Sequence, residues 1–127
     1  MRVRYNTAKL AKEKGFDLPC NGYYDVDNNY ELGYNYCYRS EVQNSDLYIG
    51  CTVPIQSELQ TWLRDIHKIQ IEIDANWNPE TTEIIGYTYV GYRTWSELVN
   101  MVFEKREIFE TYEQALEVAL LELLKSI

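Results

Sequence analysis

The single histidine, His67, is the one side chain that could act as a general base near neutral pH. Asp65 precedes it by two positions, and on a helix this spacing places the two side chains on different faces. The spacing therefore predicts no Asp–His dyad. A histidine just past a helix end is favoured by the helix dipole and by capping of the last carbonyl groups. We expect a structural role for His67, with ligand contact as the alternative.

Three cysteines, Cys20, Cys37 and Cys51, are odd in number and show no CxxC spacing. This pattern indicates free thiols in a reducing cytoplasm rather than a disulfide framework or a zinc site. A catalytic cysteine would need His67 as its base, so we interpret the cysteines as small, partly buried residues.

The segment DVDNNYELGYNY, residues 25–36, begins like a calcium-binding loop with acidic and amide residues at alternate positions. Tyr30 and Tyr36 then stand where such a loop requires glycine and a bidentate glutamate. We interpret the segment as a polar turn and expect no metal.

Carboxylates are numerous, but a general acid needs a pKa raised by burial or by a close like charge, which solvated faces do not supply. The chain has no P-loop, GxGxxG, GxSxG or HExxH pattern. We therefore predict a non-catalytic protein without a cofactor. A two-carboxylate hydrolase is the weaker alternative.

Aromatic residues are the main surplus of the chain, which has twelve tyrosines, most of them in residues 23–38 and 87–92. Such rings suit interfaces and ligand platforms, and a guanidinium beside stacked rings suits a phosphorylated aromatic ligand such as a nucleotide. A cross-strand tyrosine ladder and exposed salt-bridging arginines are the structural alternatives. The candidate ligand-binding residues are Tyr34, Tyr36, Tyr38, Arg64, Trp77, Tyr87, Tyr89 and Arg93.

The formal net charge of −8 argues against a protein that binds DNA or RNA, because such binding requires clustered Lys and Arg. Residues 1–14 are the exception, with five basic side chains against one acidic side chain. This basic segment either lies against the acidic body of its own chain, which we favour, or contacts an acidic partner.

Several elements can be predicted from periodicity. Residues 7–14 form a short basic helix before Gly15, and residues 34–38 and 47–53 are strand candidates. Ser57 and Gln60 have capping-box spacing at the start of a helix that runs to about Ile66.

Residues 69–92 then alternate as a hairpin with a polar loop at 75–82, which leaves Trp77 exposed near the tip. Residues 94–109 fit a helix, with Thr94 and Glu97 spaced as a capping box, and fit an edge strand equally well. A long C-terminal helix begins at the capping box of Thr111 and Gln114. Its apolar face is wide enough to suggest contact with a second subunit, so we expect a homo-oligomer.

The elements show no regular βαβ order, which predicts an α+β fold with an antiparallel sheet, helices packed on one face, and a long C-terminal helix. Residues 1–127 are expected to form a single domain. No apolar run is long enough for a membrane span and the start lacks a signal-peptide core, so we expect a cytoplasmic protein without a membrane partner.

The blocks TAKLAKEKGFD, SELQTWLRDIH with KIQIEID, and FETYEQALEVALLELLKSI resemble a family of small uncharacterised proteins from Bacteroidetes bacteria, their prophages and their phages. The resemblance implies no established activity and no site residues. It implies a setting in which small phage proteins act by binding, and in which one class sequesters cyclic nucleotide or NAD-derived immune signals as oligomers.

The first functional hypothesis is therefore a non-catalytic phage or prophage protein that sequesters a small nucleotide-like ligand and so blunts host defence. The second is a protein-interaction module that binds a host or phage protein through its tyrosine-rich surface. A convergent pocket with aromatic and basic residues would favour the first hypothesis, and a broad apolar patch would favour the second.

Overall fold

The computed structural model describes residues 1–33, 41–95 and 98–127, and for residues 94–95 and 98–106 it describes the backbone alone. The chain has a mixed α+β fold with two antiparallel sheets, which confirms the predicted fold class. It divides into two compact units, Met1–Leu59 and Gln60–Ile127. The predicted strand at 34–38, with Tyr34, Tyr36 and Tyr38, lies outside the described residues.

The first unit consists of one helix, three short strands and a 3-10 turn. In chain order these are α1 (Tyr5–Glu13), β1 (Gly22–Tyr24), β2 (Tyr30–Leu32), the turn Asn44–Asp46, and β3 (Cys51–Thr52). The strands form an antiparallel sheet in the order β2-β1-β3. Helix α1 occurs where it was predicted, and it ends at Gly15, whose φ of +96° is readily adopted by glycine.

The basic N-terminal segment makes contacts within its own unit. Lys12 Nζ donates hydrogen bonds to the carbonyl oxygens of Leu47 (3.3 Å) and Gly50 (2.7 Å). The Arg2 guanidinium lies 3.7 Å from the centroid of the Tyr30 ring. These contacts use carbonyl groups and a ring, rather than the acidic side chains that the charge pattern suggested.

The strand predicted at 47–53 is restricted to Cys51–Thr52, because the chain bends at 48–50. Gly50 has a φ of +91°, and the Tyr24 carbonyl oxygen occupies the space where a Cβ would stand. This backbone conformation, held by Lys12, prevents the strand from extending toward Leu47.

Helix α2 (Gln56–His67) begins two residues earlier than predicted, because capping by Ser57 would have made Glu58 its first residue. Glu58 Oε2 accepts a hydrogen bond from the backbone N–H of Ile55 at 3.1 Å, so Glu58 fills the capping position that was predicted for Gln60. Gln60 instead donates from Nε2 to the Ile71 carbonyl oxygen at 3.2 Å. Lys68 follows with a φ of +59°, and this left-handed residue ends the helix.

The second unit is a three-stranded antiparallel sheet with the C-terminal helix packed on it. Its strands β4 (Ile69–Trp77), β5 (Ile84–Trp95) and β6 (Leu98–Phe109) lie in the order β4-β5-β6. The predicted hairpin is present, and the loop between β4 and β5 is closed by Asn78, whose Oδ1 accepts from Glu80 N at 2.9 Å. Of the two interpretations of residues 94–109, the strand is correct over 98–109, and Glu97 of the predicted capping box lies outside the described residues.

Helix α3 (Tyr112–Lys125) covers one face of this sheet. Thr111 caps it as predicted, since Thr111 Oγ1 accepts from Gln114 N at 3.1 Å.

A Cβ placed on Gly91 would lie 2.7 Å from both methyl groups of Leu123, so glycine allows this close approach of α3 to the sheet. The apolar residues that suggested contact with a second subunit are buried or half-buried within the chain: Leu116, Val118, Ala119, Leu120, Leu121, Leu123 and Leu124. The homo-oligomer stays a prediction. No helix among residues 1–33, 41–95 and 98–127 is long and apolar enough to cross a membrane.

Candidate functional site

Tyr89, one of the predicted ligand-binding residues, lies in the core. It is fully buried on the sheet face that α3 covers, and its ring stacks on Phe109 with centroids 6.3 Å apart. Burial, followed by the charges of Glu122 and Glu107, raises the pKa of its phenol. We therefore assign Tyr89 to the core rather than to a ligand platform.

The other predicted residues on the sheet lie at opposite ends of β5. Arg93 pairs with Ile69 at the start of β4, whereas Tyr87 pairs with Ala75 near the end of that strand. Six residues of extended chain separate Tyr87 from Arg93, which corresponds to about 20 Å. Trp77 lies beyond Tyr87, so the aromatic and basic members of the predicted set do not converge on one pocket within this sheet.

Arg64 forms an exposed ion pair, which was the structural alternative to ligand binding. Its Nε lies 3.1 Å from Asp65 Oδ1, and both side chains are more than half exposed. An exposed ion pair of this type stabilises a fold by about 0–1 kcal/mol. The ion pair also engages the carboxylate of Asp65, which is the acidic residue closest to His67 in the sequence.

His67 packs against an aromatic ring at the end of α2. Its ring centroid lies 4.7 Å from that of Trp62, with the rings at 70°. The Nε2 atom is buried and has no hydrogen-bond partner among the residues that the structure describes. Burial, and then the positive charge of Arg93, lowers the pKa of His67 below its usual 6.5. These contacts favour the structural role, although the interaction is ring packing rather than capping.

Neither described cysteine has the surroundings of a nucleophile. Cys20 and Cys51 are free and buried, and burial raises the pKa of their thiols to about 12 and about 11. Thiols with such pKa values are protonated and unreactive at neutral pH. Cys37 lies outside the described residues.

The calcium-like segment uses its first carboxylate to build its own turn. Asp25 Oδ1 accepts hydrogen bonds from the backbone N–H groups of Asp27 (2.9 Å) and Asn29 (3.0 Å). The polar turn is therefore present. Across the described residues, no group of three or more His, Cys, Asp or Glu side chains is arranged to hold a metal ion.

A cluster of exposed apolar side chains lies at the loop end of the β4–β5 hairpin, and we name it the hairpin-end surface. The exposed fractions of its side chains are 58% for Trp77, 45% for Ile84, 56% for Ile85, 49% for Ile108 and 43% for Tyr112. Large exposed apolar patches on folded proteins commonly mark interaction sites.

An irregularity in strand pairing builds this surface. Asn76 pairs with Gly86, but the next residue, Trp77, pairs with Ile84, so Ile85 is an extra residue in β5. Such a bulge interrupts the alternation of side chains along a strand. It thereby leaves both isoleucines exposed beside Trp77.

Strand β6 and helix α3 extend the same surface. A methyl group of Ile108 fills the space where a Cβ on Gly86 would stand, which brings Ile108 onto the hairpin. The Tyr112 ring meets the Tyr87 ring edge-on, with centroids 6.2 Å apart and an interplanar angle of 82°. Residues from β4, β5, β6 and the start of α3 are therefore exposed at the same end of the sheet. Because Gly86 and Tyr87 are consecutive strand residues, Ile108 and Tyr112 lie on opposite faces there.

The charged residues adjoining this area in sequence are acidic. Glu80 and Glu83 lie in or beside the hairpin loop, and Glu110 follows the end of β6, all three exposed. Residues 69–92 contain four acidic and no basic residues, and residues 107–124 contain five acidic and no basic residues. The nearest basic positions along β6 are Lys105 and Arg106, whose side chains are outside the described set.

Sequence reasoning found Trp77 but missed the other four residues of the hairpin-end surface. A signal was present in EIIG at 83–86, because two consecutive isoleucines in a strand cannot both point to one face. Ile108 and Tyr112 carry no such signal. Their position at this end of the sheet depends on the pairing of β6 with β5 and on the position of α3.

Comparisons with known proteins leave this surface as the main guide to function. No protein-family model matches the chain, and neither a curated protein nor a solved structure matches it.

Proposed function

We propose that this protein is a non-catalytic interaction module that binds another protein through its hairpin-end surface. The observation that supports this most is the group of five exposed apolar side chains, two of them aromatic, at one end of the sheet. Exposed Trp and Tyr side chains with neighbouring aliphatic groups have the composition of binding hot spots. In the phage or prophage setting that the resemblance implies, the partner is a host or phage protein.

The acidic surroundings of the hairpin-end surface support a protein partner over a nucleotide. Glu80, Glu83 and Glu110 would each repel the phosphate groups of a nucleotide that stacked on Trp77. An apolar protein segment meets no such penalty. The hairpin-end surface contains one tyrosine, Tyr112, and so differs from the tyrosine-rich surface of the sequence-based hypothesis, which stays a prediction.

A pull-down from host proteins, with the full chain as bait, tests the proposal. We would compare wild type, Ile85→Ser and Val26→Ser as baits. Val26 is the control because it is an apolar side chain in the first unit with a similar exposed fraction, 64%. The expected result is one protein retained in stoichiometric amount by wild type and Val26→Ser, and lost from Ile85→Ser. The same set of proteins on all three baits would contradict the proposal.

Sequestration of a nucleotide-like ligand is our second proposal, and it is supported by the opposite end of the sheet. Arg64 and Lys68 are basic neighbours of His67 in the sequence, and the charge of Arg93 acts on His67. Native mass spectrometry of freshly purified protein tests it, because a sequestered nucleotide would appear as an adduct. An adduct lost in an Arg64→Ala, Arg93→Ala double variant would support this site, and its retention in that variant would remove both arginines from it.

A further inference from the structure

We infer that Asn21 is a site of spontaneous deamidation in the folded protein. This inference concerns the first unit and does not depend on the proposed function. It follows from the dipeptide Asn21–Gly22, from the surroundings of the Asn21 side chain, and from the hydrogen bonding of the Gly22 backbone.

The reaction uses two neighbouring residues and water. The backbone nitrogen of Gly22 loses its proton to hydroxide and attacks Cγ of Asn21. A C–N bond forms, the Cγ–Nδ2 bond breaks, and the carboxamide nitrogen leaves as ammonia with a proton from water. Water then opens the cyclic imide at either carbonyl, which gives aspartate at this position or isoaspartate, whose main chain passes through the former side chain. Glycine as the next residue favours the reaction, because it has no Cβ to shield the attacking nitrogen.

The fold itself requires the glycine that makes this dipeptide labile. Gly22 is buried in β1, and a Cβ at this position would collide with the ring of Tyr30 on the neighbouring strand. A residue with a side chain would therefore disturb the packing of β1 against β2. Packing thus restricts position 22 to the residue type that leaves the preceding asparagine most reactive.

The attacking nitrogen is not held by the sheet. Gly33 N donates to Asn21 O at 2.8 Å. Gly22 and Leu32 therefore form a pair without mutual hydrogen bonds, and the N–H of Gly22 points away from β2. On the other side, Val53 N donates to Gly22 O at 2.9 Å, and within the described part of the chain no group accepts a hydrogen bond from Gly22 N. Formation of the imide thus breaks no hydrogen bond of the sheet at this nitrogen.

The carboxamide of Asn21 is also unrestrained. Asn21 lies in a bend immediately before β1, and its side chain is exposed. Among the residues that the structure describes, none forms a hydrogen bond with this carboxamide. Its Cγ can therefore rotate toward the nitrogen of Gly22 without loss of a hydrogen bond.

The dipeptide Asn44–Ser45 in the same unit has the opposite properties. The Asn44 carboxamide donates to Phe16 O at 2.6 Å and accepts from Thr52 N at 2.8 Å. Ser45 N, the nitrogen that would attack, donates to Asp17 Oδ1 at 2.7 Å. Because both reacting groups are engaged, Asn44 should react only when the unit opens. It is therefore an internal control for Asn21.

Deamidation would alter the backbone between two pairings. Cys20 and Val42 exchange two hydrogen bonds, and the next residue, Asn21, accepts from Gly33 N. Isoaspartate at position 21 would add one backbone carbon between these pairings, so both could not keep their register. The isoaspartate product should therefore be less stable than the unmodified protein. The aspartate product only adds a negative charge at an exposed position.

Peptide mapping by mass spectrometry tests this inference. The full chain is incubated at mildly alkaline pH with and without urea, and the mass increase from NH2 to OH is followed at each asparagine. The rate at Asn21 in the folded protein should be within about tenfold of its rate in urea, whereas folding should slow Asn44 by at least about 100-fold. Equal slowing of the two sites would show that both react through unfolding and would overturn the inference. Complete absence of reaction at Asn21 in the folded protein would overturn it as well.

Asn21→Asp separates the two products, because it supplies the charge without the additional backbone carbon. Its urea midpoint should equal that of wild type, and the isoaspartate form, purified by chromatography, should unfold at a lower urea concentration. An isoaspartate form as stable as Asn21→Asp would contradict the loss of register between the two pairings.

Discussion

Trp77 and Ile84 pair across the loop end of the β4–β5 hairpin, and both side chains are exposed. The last pair of a hairpin usually faces water. Apolar side chains of this size therefore keep much of their surface in contact with solvent there. Ile85 and Ile108 are also exposed at this end of the sheet. The fold therefore leaves a substantial apolar surface available to a partner, and the remaining predictions test the structure that supports it.

Asn44 should be essential to the stability of the first unit. Its buried carboxamide donates from Nδ2 to the Phe16 carbonyl oxygen at 2.6 Å and accepts from Thr52 N at 2.8 Å. Asn44→Ala would leave both buried backbone groups without these partners, at a cost of about 2–4 kcal/mol. Urea unfolding followed by circular dichroism measures this loss.

Asn29→Ala is the control for Asn44, because the Asn29 side chain is exposed. We expect it to change the free energy of unfolding by less than about 0.5 kcal/mol. Equal stability of the two variants would show that the hydrogen bonds of Asn44 do not hold the unit together.

Gly91→Ala should destabilise the second unit by overpacking. The new Cβ would stand 2.7 Å from both methyl groups of Leu123, which is fully buried. We expect a loss of about 1–3 kcal/mol in the free energy of unfolding. Adding Leu123→Ala should make the double variant more stable than the sum of the two single changes predicts. Strictly additive losses would show that Gly91 and Leu123 do not contact each other.

The stability of the second unit should decrease on acidification through His67. Its folded pKa is lower than the unfolded value of about 6.5, so the unfolded chain binds more protons when the pH falls below that value. The contribution is fully present above pH 6.5 and is lost as the pH decreases toward the folded pKa. Arg93 opposes protonation as well, because its charge adds to the effect of burial.

Comparison of wild type with His67→Gln isolates this effect from the titration of the carboxylates. As the pH is lowered from 7 to 5, the free energy of unfolding of wild type should decrease relative to that of His67→Gln. A difference that is constant over this range would mean that His67 titrates alike in the folded and unfolded chain.

Cys20 and Cys51 should be protected from thiol reagents in the folded protein. Their side chains are buried and their pKa values are raised to about 12 and about 11. In a Cys37→Ser variant, which removes the remaining thiol, we expect slow reaction with a disulfide reagent at pH 8 and complete reaction of both thiols in urea. Rapid reaction without urea would show that one of the two sites opens readily.

The sequence was sufficient for elements whose signals are local. Helix α3 was predicted from its apolar periodicity and from the Thr111 cap, and the β4–β5 hairpin from the alternation of Ile69, Ile71 and Ile73. In both elements, the local conformational preference of the residues and the packing of their apolar side chains favour the same structure.

Elements decided by distant contacts were predicted less well. Ser57 and Gln60 predicted the cap at the start of α2, but Glu58 accepts from Ile55 N instead, and Gln60 binds the carbonyl oxygen of Ile71, eleven residues away. Residues 94–109 fitted a helix and a strand equally, and pairing with β5 makes residues 98–109 a strand. Long-range pairing of this kind has no signature in a short window of sequence.

The candidate site shows the same limit. Alternation indicated that Tyr87 and Tyr89 share a face, but not that α3 covers this face at Tyr89. The bulge at Ile85 and the position of Ile108 over Gly86 depend on the pairing register of three strands. The identity of exposed side chains was therefore harder to predict than the strands that carry them.

Site-specific photo-crosslinking tests the central claim most directly. A photoreactive phenylalanine derivative would replace Ile85 in one protein and Val26 in another, and both would be illuminated in the presence of the host proteins that the proposed function implies. We predict one discrete protein adduct at position 85 that is absent at position 26 and that is lost when Trp77→Ser is added. An adduct that persists with Trp77→Ser, or no protein adduct at position 85, would contradict a protein interface at the hairpin-end surface.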